Sequence, residues 1–155
     1  MKKIVAVSLL VVFAFLGVVW AGLGSDKTLY VGGTVKDLKD LTEGKSSTKD
    51  EKVFVFEYAG GKLEIPYDRV NSLEYGQKAG RRVGAAVLVS PYLLFSKKRK
   101  HFLTINYLDN DDKQQAVVLE MGKNIVRVTL ASMEARTGRK VEYQDAEARN
   151  SGRGN

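Results

Sequence analysis

Short runs of alternating apolar and polar residues, punctuated by glycine and acidic turns, fill the chain from Thr28 to Met121 and commit it to a β-sheet. Thr28 to Lys36 (TLYVGGTVK) puts Leu29, Val31 and Val35 on one face. The Gly32-Gly33 pair in its middle predicts a bulge or a close approach of another backbone. Asp37 to Lys52 is polar and reads as a loop with room for one helical turn. Val53 to Tyr58 (VFVFEY) is the strongest strand signal, followed by a hairpin turn at Ala59 to Lys62 and a return strand at Leu63 to Ile65. Pro66 cannot donate to a ladder, so it marks a sheet edge or a strand end. Val70 to Tyr75 (VNSLEY) supplies a fourth short strand. A second hairpin joins His101 to Leu108 (HFLTINYL) to Gln115 to Met121 (QAVVLEM) through the polar turn Asp109 to Lys113.

The period then changes. Val126, Leu130 and Met133 recur at helical spacing, with Asn124 as the expected N-cap, Arg136 in the last turn and Gly138 just beyond it. Residues 141–155 are polar and read as a flexible tail, leaving residues 28–140 as one domain.

Ahead of the domain stands a leader. Met1-Lys2-Lys3 is positive, Ile4 to Val18 is apolar apart from Ser8 and Gly17, and Val19-Trp20-Ala21 puts small residues at the −3 and −1 positions of a cleavage point. Residues 1–21 therefore read as a secretory signal peptide, with an uncleaved anchor over residues 4–23 as the alternative. Either way Gly22 onward lies outside the cytoplasm, periplasmic or secreted. Cleavage removes two lysines and no acid, so the net charge falls from +7 to +5. In that compartment anionic envelope surfaces are nearer partners than nucleic acid, which is not expected.

One segment does not follow the sheet pattern. Val83 to Phe95 (VGAAVLVSPYLLF) is thirteen nearly unbroken apolar residues between Arg81-Arg82 and Lys97-Lys98-Arg99-Lys100. It has three readings. It can form a core hairpin around Ser90-Pro91. It can be a hairpin that dips into a bilayer, since thirteen residues are too few to cross ~30 Å as a helix. Or it can be a contact for another protein. In the second reading both basic clusters finish on one side, beside anionic lipid, while Leu93, Leu94 and Phe95 supply buried area.

Familiar chemistries find little purchase. The chain has no cysteine, which excludes disulfides, thiol nucleophiles and cysteine-based metal sites, and its sole histidine, His101, follows four cations that favour its neutral form. No Gly-x-Ser-x-Gly elbow exists for it to serve. Asp109-Asn110-Asp111-Asp112 matches the start of an EF-hand, but Gln114 stands where that loop needs glycine, so a turn is the better reading. Gly44-Lys45-Ser46 lacks the upstream glycine of a P-loop, with Lys39 in its place. No catalytic residue, metal or cofactor is expected.

Lys62 to Tyr75 (KLEIPYDRVNSLEY), His101 to Tyr107 (HFLTINY) and Lys123 to Lys140 (KNIVRVTLASMEARTGRK) resemble segments of bacterial pleckstrin-homology-like (PH-like) domains of unknown function. The resemblance implies a mainly β fold: a partly open barrel of about seven antiparallel strands with one C-terminal capping α-helix. Val126, Leu130 and Met133 would then cover a core built from Val53, Val55, Leu103, Ile105, Val117 and Leu119. No ligand site carries over, because Lys39, Lys45, Lys49 and Lys52 lack the arrangement that grips phosphoinositides. The expected function is an exported, non-enzymatic binding module at the cell envelope, acting through Arg81, Arg82, Leu93, Leu94, Phe95, Lys97, Lys98, Arg99 and Lys100. The alternative is a small periplasmic scaffold protein that associates through sheet edges or through the same apolar segment.

Overall fold

The computed structural model describes residues 27–77 and 100–153. The leader, the apolar segment 83–95 and most of its basic flanks lie outside the described residues. Within them the chain runs β1 (Thr28–Gly33), β2 (Thr42–Ser47), β3 (Val53–Tyr58), β4 (Gly61–Pro66), a 3-10 turn (Tyr67–Arg69), β5 (Val70–Gly76), β6 (His101–Leu108), β7 (Gln114–Met121), α1 (Val126–Thr137), β8 (Val141–Tyr143) and α2 (Ala146–Arg153). The eight strands among the described residues form one open sheet in the order β4-β3-β2-β1-β7-β6-β5-β8. Two antiparallel meanders, β1 to β4 and β5 to β7, are thus joined where β1 pairs with β7. The sheet is mixed, because β8 runs parallel to β5.

Register decides which side chains face the core. Tyr30 pairs with Leu119, Leu103 with Leu119, Leu73 with Ile105 and Phe54 with Ile65. These residues meet Val117, Tyr75, Phe56 and the α1 residues Val126, Leu130 and Met133 in one buried cluster. The core expected from sequence is right for Leu103, Ile105, Val117 and Leu119, and wrong for β3. Val53 and Val55 are half-buried on the opposite face, with Phe54 and Phe56 inside. In VFVFEY both alternating sets are apolar, so periodicity could not choose between them; the larger rings fill the interior. Likewise Tyr30 enters the core cluster in place of Leu29. The register shifts between Tyr30 and Gly32, the bulge the glycine pair predicts. At Gly33 a Cβ would stand 2.3 Å from the Ala116 carbonyl oxygen, so the two backbones also approach closely there.

Three further expectations are corrected. The polar stretch 37–52 contains β2, hydrogen-bonded to β1 on one side and β3 on the other. With a neighbour on each side its backbone is satisfied whatever its side chains. The N-cap of α1 is Ile125, with no side-chain cap bond, while Gly138 closes the helix in the left-handed region at φ 68° as expected. The polar tail is ordered as β8 and α2. Asp145 Oδ1 accepts the Ala148 N–H at 2.7 Å, which is N-cap chemistry. Ala148 and Gly152, one turn apart, let α2 lie close: a Cβ on Gly152 would come within 2.7 Å of the Tyr143 ring.

The outer face of the sheet is divided. Over β2, β3 and β4 it carries exposed Glu43, Lys45, Glu57, Lys62 and Glu64. Over β6, β7 and β1 it is buried. Phe102, Ala116 and Val118 occupy neighbouring register positions there, with Val31 at the bulge, and Val118 is only 1% exposed. β7 is therefore covered on both faces.

Candidate functional site

The apolar segment leaves and rejoins the fold at one point. Gly76, the last residue of β5, pairs with Phe102 of β6, and the Lys100 N–H donates to the Gln77 carbonyl at 3.4 Å. Arg81, Arg82, Leu93, Leu94, Phe95, Lys97, Lys98 and Arg99 belong to the chain between these ends, outside the described residues.

Lys100 itself is described, and it is not free. Its Nζ lies 2.8 Å from Glu120 Oε2, whose side chain is 6% exposed. The pair sits on the covered half of the outer face beside Phe102, the register partner of Glu120. A carboxylate this buried needs its cation, so Lys100 is held by the fold.

On the inner side of the same end, four residues from different elements form a polar cluster. The hydroxyl of Tyr75, on β5, is 2.5 Å from Nδ1 of His101, on β6. It also lies 3.3 Å from Ser151 Oγ, on α2, and Gln77 Nε2 donates to that Oγ at 2.9 Å. The Tyr75 and His101 rings stack at 6.1 Å. A cleft of about 290 Å³ opens beside this cluster, lined by His101, Lys123, Asn124, Val126, Arg127 and Ser151. His101 is held below its ordinary value of 6.5, first by burial and then by the charges of Lys123 and Arg127; Glu120 opposes them weakly. The neutral imidazole expected from sequence stands, but burial leads, and the cations responsible come from the β7–α1 turn and α1. Sequence offered no sign that residues 123 and 127 face residue 101.

A wider cleft of about 600 Å³ lies between β3, the 3-10 turn and the end of α1, lined by residues that include Lys52, Tyr67, Asp68 and Arg136. Arg136 sits 5.6 Å from the centre of the Tyr67 ring, and the buried Tyr67 hydroxyl has no hydrogen-bond partner among the described residues.

The acidic turn and the Gly-Lys-Ser stretch are explained by the fold. Asp109 Oδ1 accepts the backbone N–H groups of Asp111 and Lys113, each at 2.9 Å, and Oδ2 accepts from Gln115 Nε2. These bonds hold the Asp109 carboxyl below its usual range. Gly44, Lys45 and Ser46 lie in the middle of β2. No group of three or more acidic or histidine side chains among the described residues is placed to hold a metal ion. The chain matches no protein-family model and no curated protein.

Proposed function

We propose that this chain is an exported, non-enzymatic binding module of the cell envelope, and that it contacts anionic lipid or a membrane-associated partner through residues 81–100. The observation that carries this reading is the single point of exit and return. Gln77 and Lys100 are bonded backbone to backbone, so five cations (Arg81, Arg82, Lys97, Lys98 and Arg99) are tethered within a short radius of one end of the sheet. Between them runs the thirteen-residue apolar stretch. Clustered cations supply attraction of about 1 kcal/mol each near an anionic surface, and the apolar side chains supply the buried area. Two meanders followed by a helix also suit the PH-like resemblance, in which the sheet would curl into a partly open barrel. Residues 1–21 act as the export signal, or residues 4–23 as the anchor.

Co-sedimentation with phosphatidylglycerol vesicles at moderate salt tests the reading. The wild type should pellet with the vesicles, and a variant with Leu93, Leu94 and Phe95 all changed to Ser should stay in solution. Equal binding by that variant, with an unchanged circular dichroism spectrum, refutes it.

A second reading is favoured by a different observation, the open ends of the sheet, β4 on one side and β8 on the other among the described residues. In this reading the protein is a small periplasmic scaffold that associates through sheet edges. Light scattering separates the two: a tight, salt-insensitive oligomer without lipid affinity belongs to the scaffold.

A further inference from the structure

The cleft beside His101 has a lining with one chemical character. Lys123 and Arg127 are cations, His101 and Ser151 carry neutral hydrogen-bonding groups, and no carboxylate is among the described residues that line it. Neither Lys123 nor Arg127 is in an ion pair with another described residue. These groups come from β6, the β7–α1 turn, α1 and α2, so they converge from several directions. That arrangement suits a tetrahedral acceptor better than a planar carboxylate. The internal bonds leave one neutral donor for the cleft. The Tyr75 hydroxyl stands between His101 Nδ1 at 2.5 Å and Ser151 Oγ at 3.3 Å and has a single proton to give, so either the neutral imidazole or the serine hydroxyl donates back to it and the other keeps its proton for the cleft. Ser151 Oγ also accepts from Gln77 Nε2, which fixes the serine at the cleft wall. A volume of about 290 Å³ is at the small end of ligand sites, enough for a phosphate and the first atoms of what carries it.

We propose that this cleft binds a phosphate group, as a soluble phosphate or as the headgroup of an acidic lipid. Lys123 and Arg127 supply the charge, and His101 or Ser151 supplies one neutral hydrogen bond. The site uses no residue between 78 and 99, so it does not depend on the apolar segment. Its failure and that of the membrane reading are therefore separable.

The test is a proton–nitrogen NMR titration of the purified protein with inorganic phosphate at constant ionic strength, with chloride and acetate as controls. Saturable shifts should appear at the His101 ring and at the amides of Arg127 and Ser151. The Lys123→Ala/Arg127→Ala variant should bind about a hundredfold more weakly, about tenfold for each charged hydrogen bond lost. Both side chains are exposed, so that variant should keep its fold; Arg127→Lys, which keeps the charge, should retain part of the affinity. Vesicles then separate the sources. A lipid headgroup predicts that phosphatidic acid vesicles shift the His101 ring where phosphatidylcholine vesicles do not, even in the Leu93/Leu94/Phe95→Ser variant. A soluble ligand predicts shifts with inorganic phosphate alone. Shifts reproduced by chloride or acetate, or unchanged affinity in the double variant, overturn the proposal.

Discussion

Val118→Ala is the most informative single change, because two residues on the same face of the same sheet are predicted to differ. Val118 on β7 and Val55 on β3 both point away from the inner core, yet Val118 is 1% exposed and Val55 is half-buried. Removing two methyl groups from a covered site forfeits about 1.6 kcal/mol of transfer free energy, and the residual cavity brings the total to about 2 kcal/mol. At half-buried Val55 about half of that transfer free energy is at stake and no sealed cavity is left, so the same change costs about 0.8 kcal/mol beyond the loss of β-propensity, which is common to both. Urea unfolding followed by far-ultraviolet circular dichroism should therefore show Val118→Ala less stable than Val55→Ala by about 1 kcal/mol, at equal slopes. Equal costs at the two sites would mean that the outer face over β7 is open, and the reasoning falls. The measurement extends to function through a double-mutant cycle with Leu93→Ala. A coupling of about 0.5–3 kcal/mol places the apolar segment on this face; no coupling leaves it available for lipid.

Three other outcomes can be checked on the same material. Gly44→Ala should cost about 2–3 kcal/mol by urea unfolding, since its Cβ would stand 2.2 Å from the Glu57 carbonyl oxygen and 2.8 Å from the Phe56 ring; a neutral result would disprove the β2–β3 register. Tyr67→Phe should raise stability by about 1 kcal/mol, because it removes a buried hydroxyl that has no partner among the described residues; a loss of that size would show that the hydroxyl is bonded in solution. His101, whose pKa is depressed in the fold, binds fewer protons folded than unfolded. Stability should then fall as the pH drops through 6.5 toward the folded value, and His101→Gln should abolish that slope in denaturation curves across the window.

Individual strands were readable in sequence wherever apolar residues alternate with polar ones, as in HFLTINYL and QAVVLEM. Legibility failed where the deciding contact is remote. In TEGKSS no side chain announces a strand, and the segment is ordered by the backbones of β1 and β3. In VFVFEY the strand was evident and its inner face was not, because valine and phenylalanine compete for the core. The tail carried a signal that could have been used: Asp145 three residues before Ala148, with Gly152 one turn on, spells a short capped helix that packs closely. For the candidate sites, the apolar stretch and its cations stand out from composition alone. The cleft beside His101 does not, since its lining comes from residues 101, 123, 124, 126, 127 and 151 and only the paired strands and the two helices bring these together.

The pairing of β1 with β7 also sets a timetable for folding. Thr28 is matched with Met121, more than ninety residues later, and among the described residues this ladder alone links the two meanders. A polypeptide that emerges amino end first delivers one half of that seam at the start and the other near the finish. The first hairpins can close early, but the full sheet must wait for almost the whole chain to arrive, and such long-range closure is intrinsically slow. Until then β1 keeps one long edge unmatched, so a chaperone that shields this strand during synthesis would guard the step most exposed to misassembly.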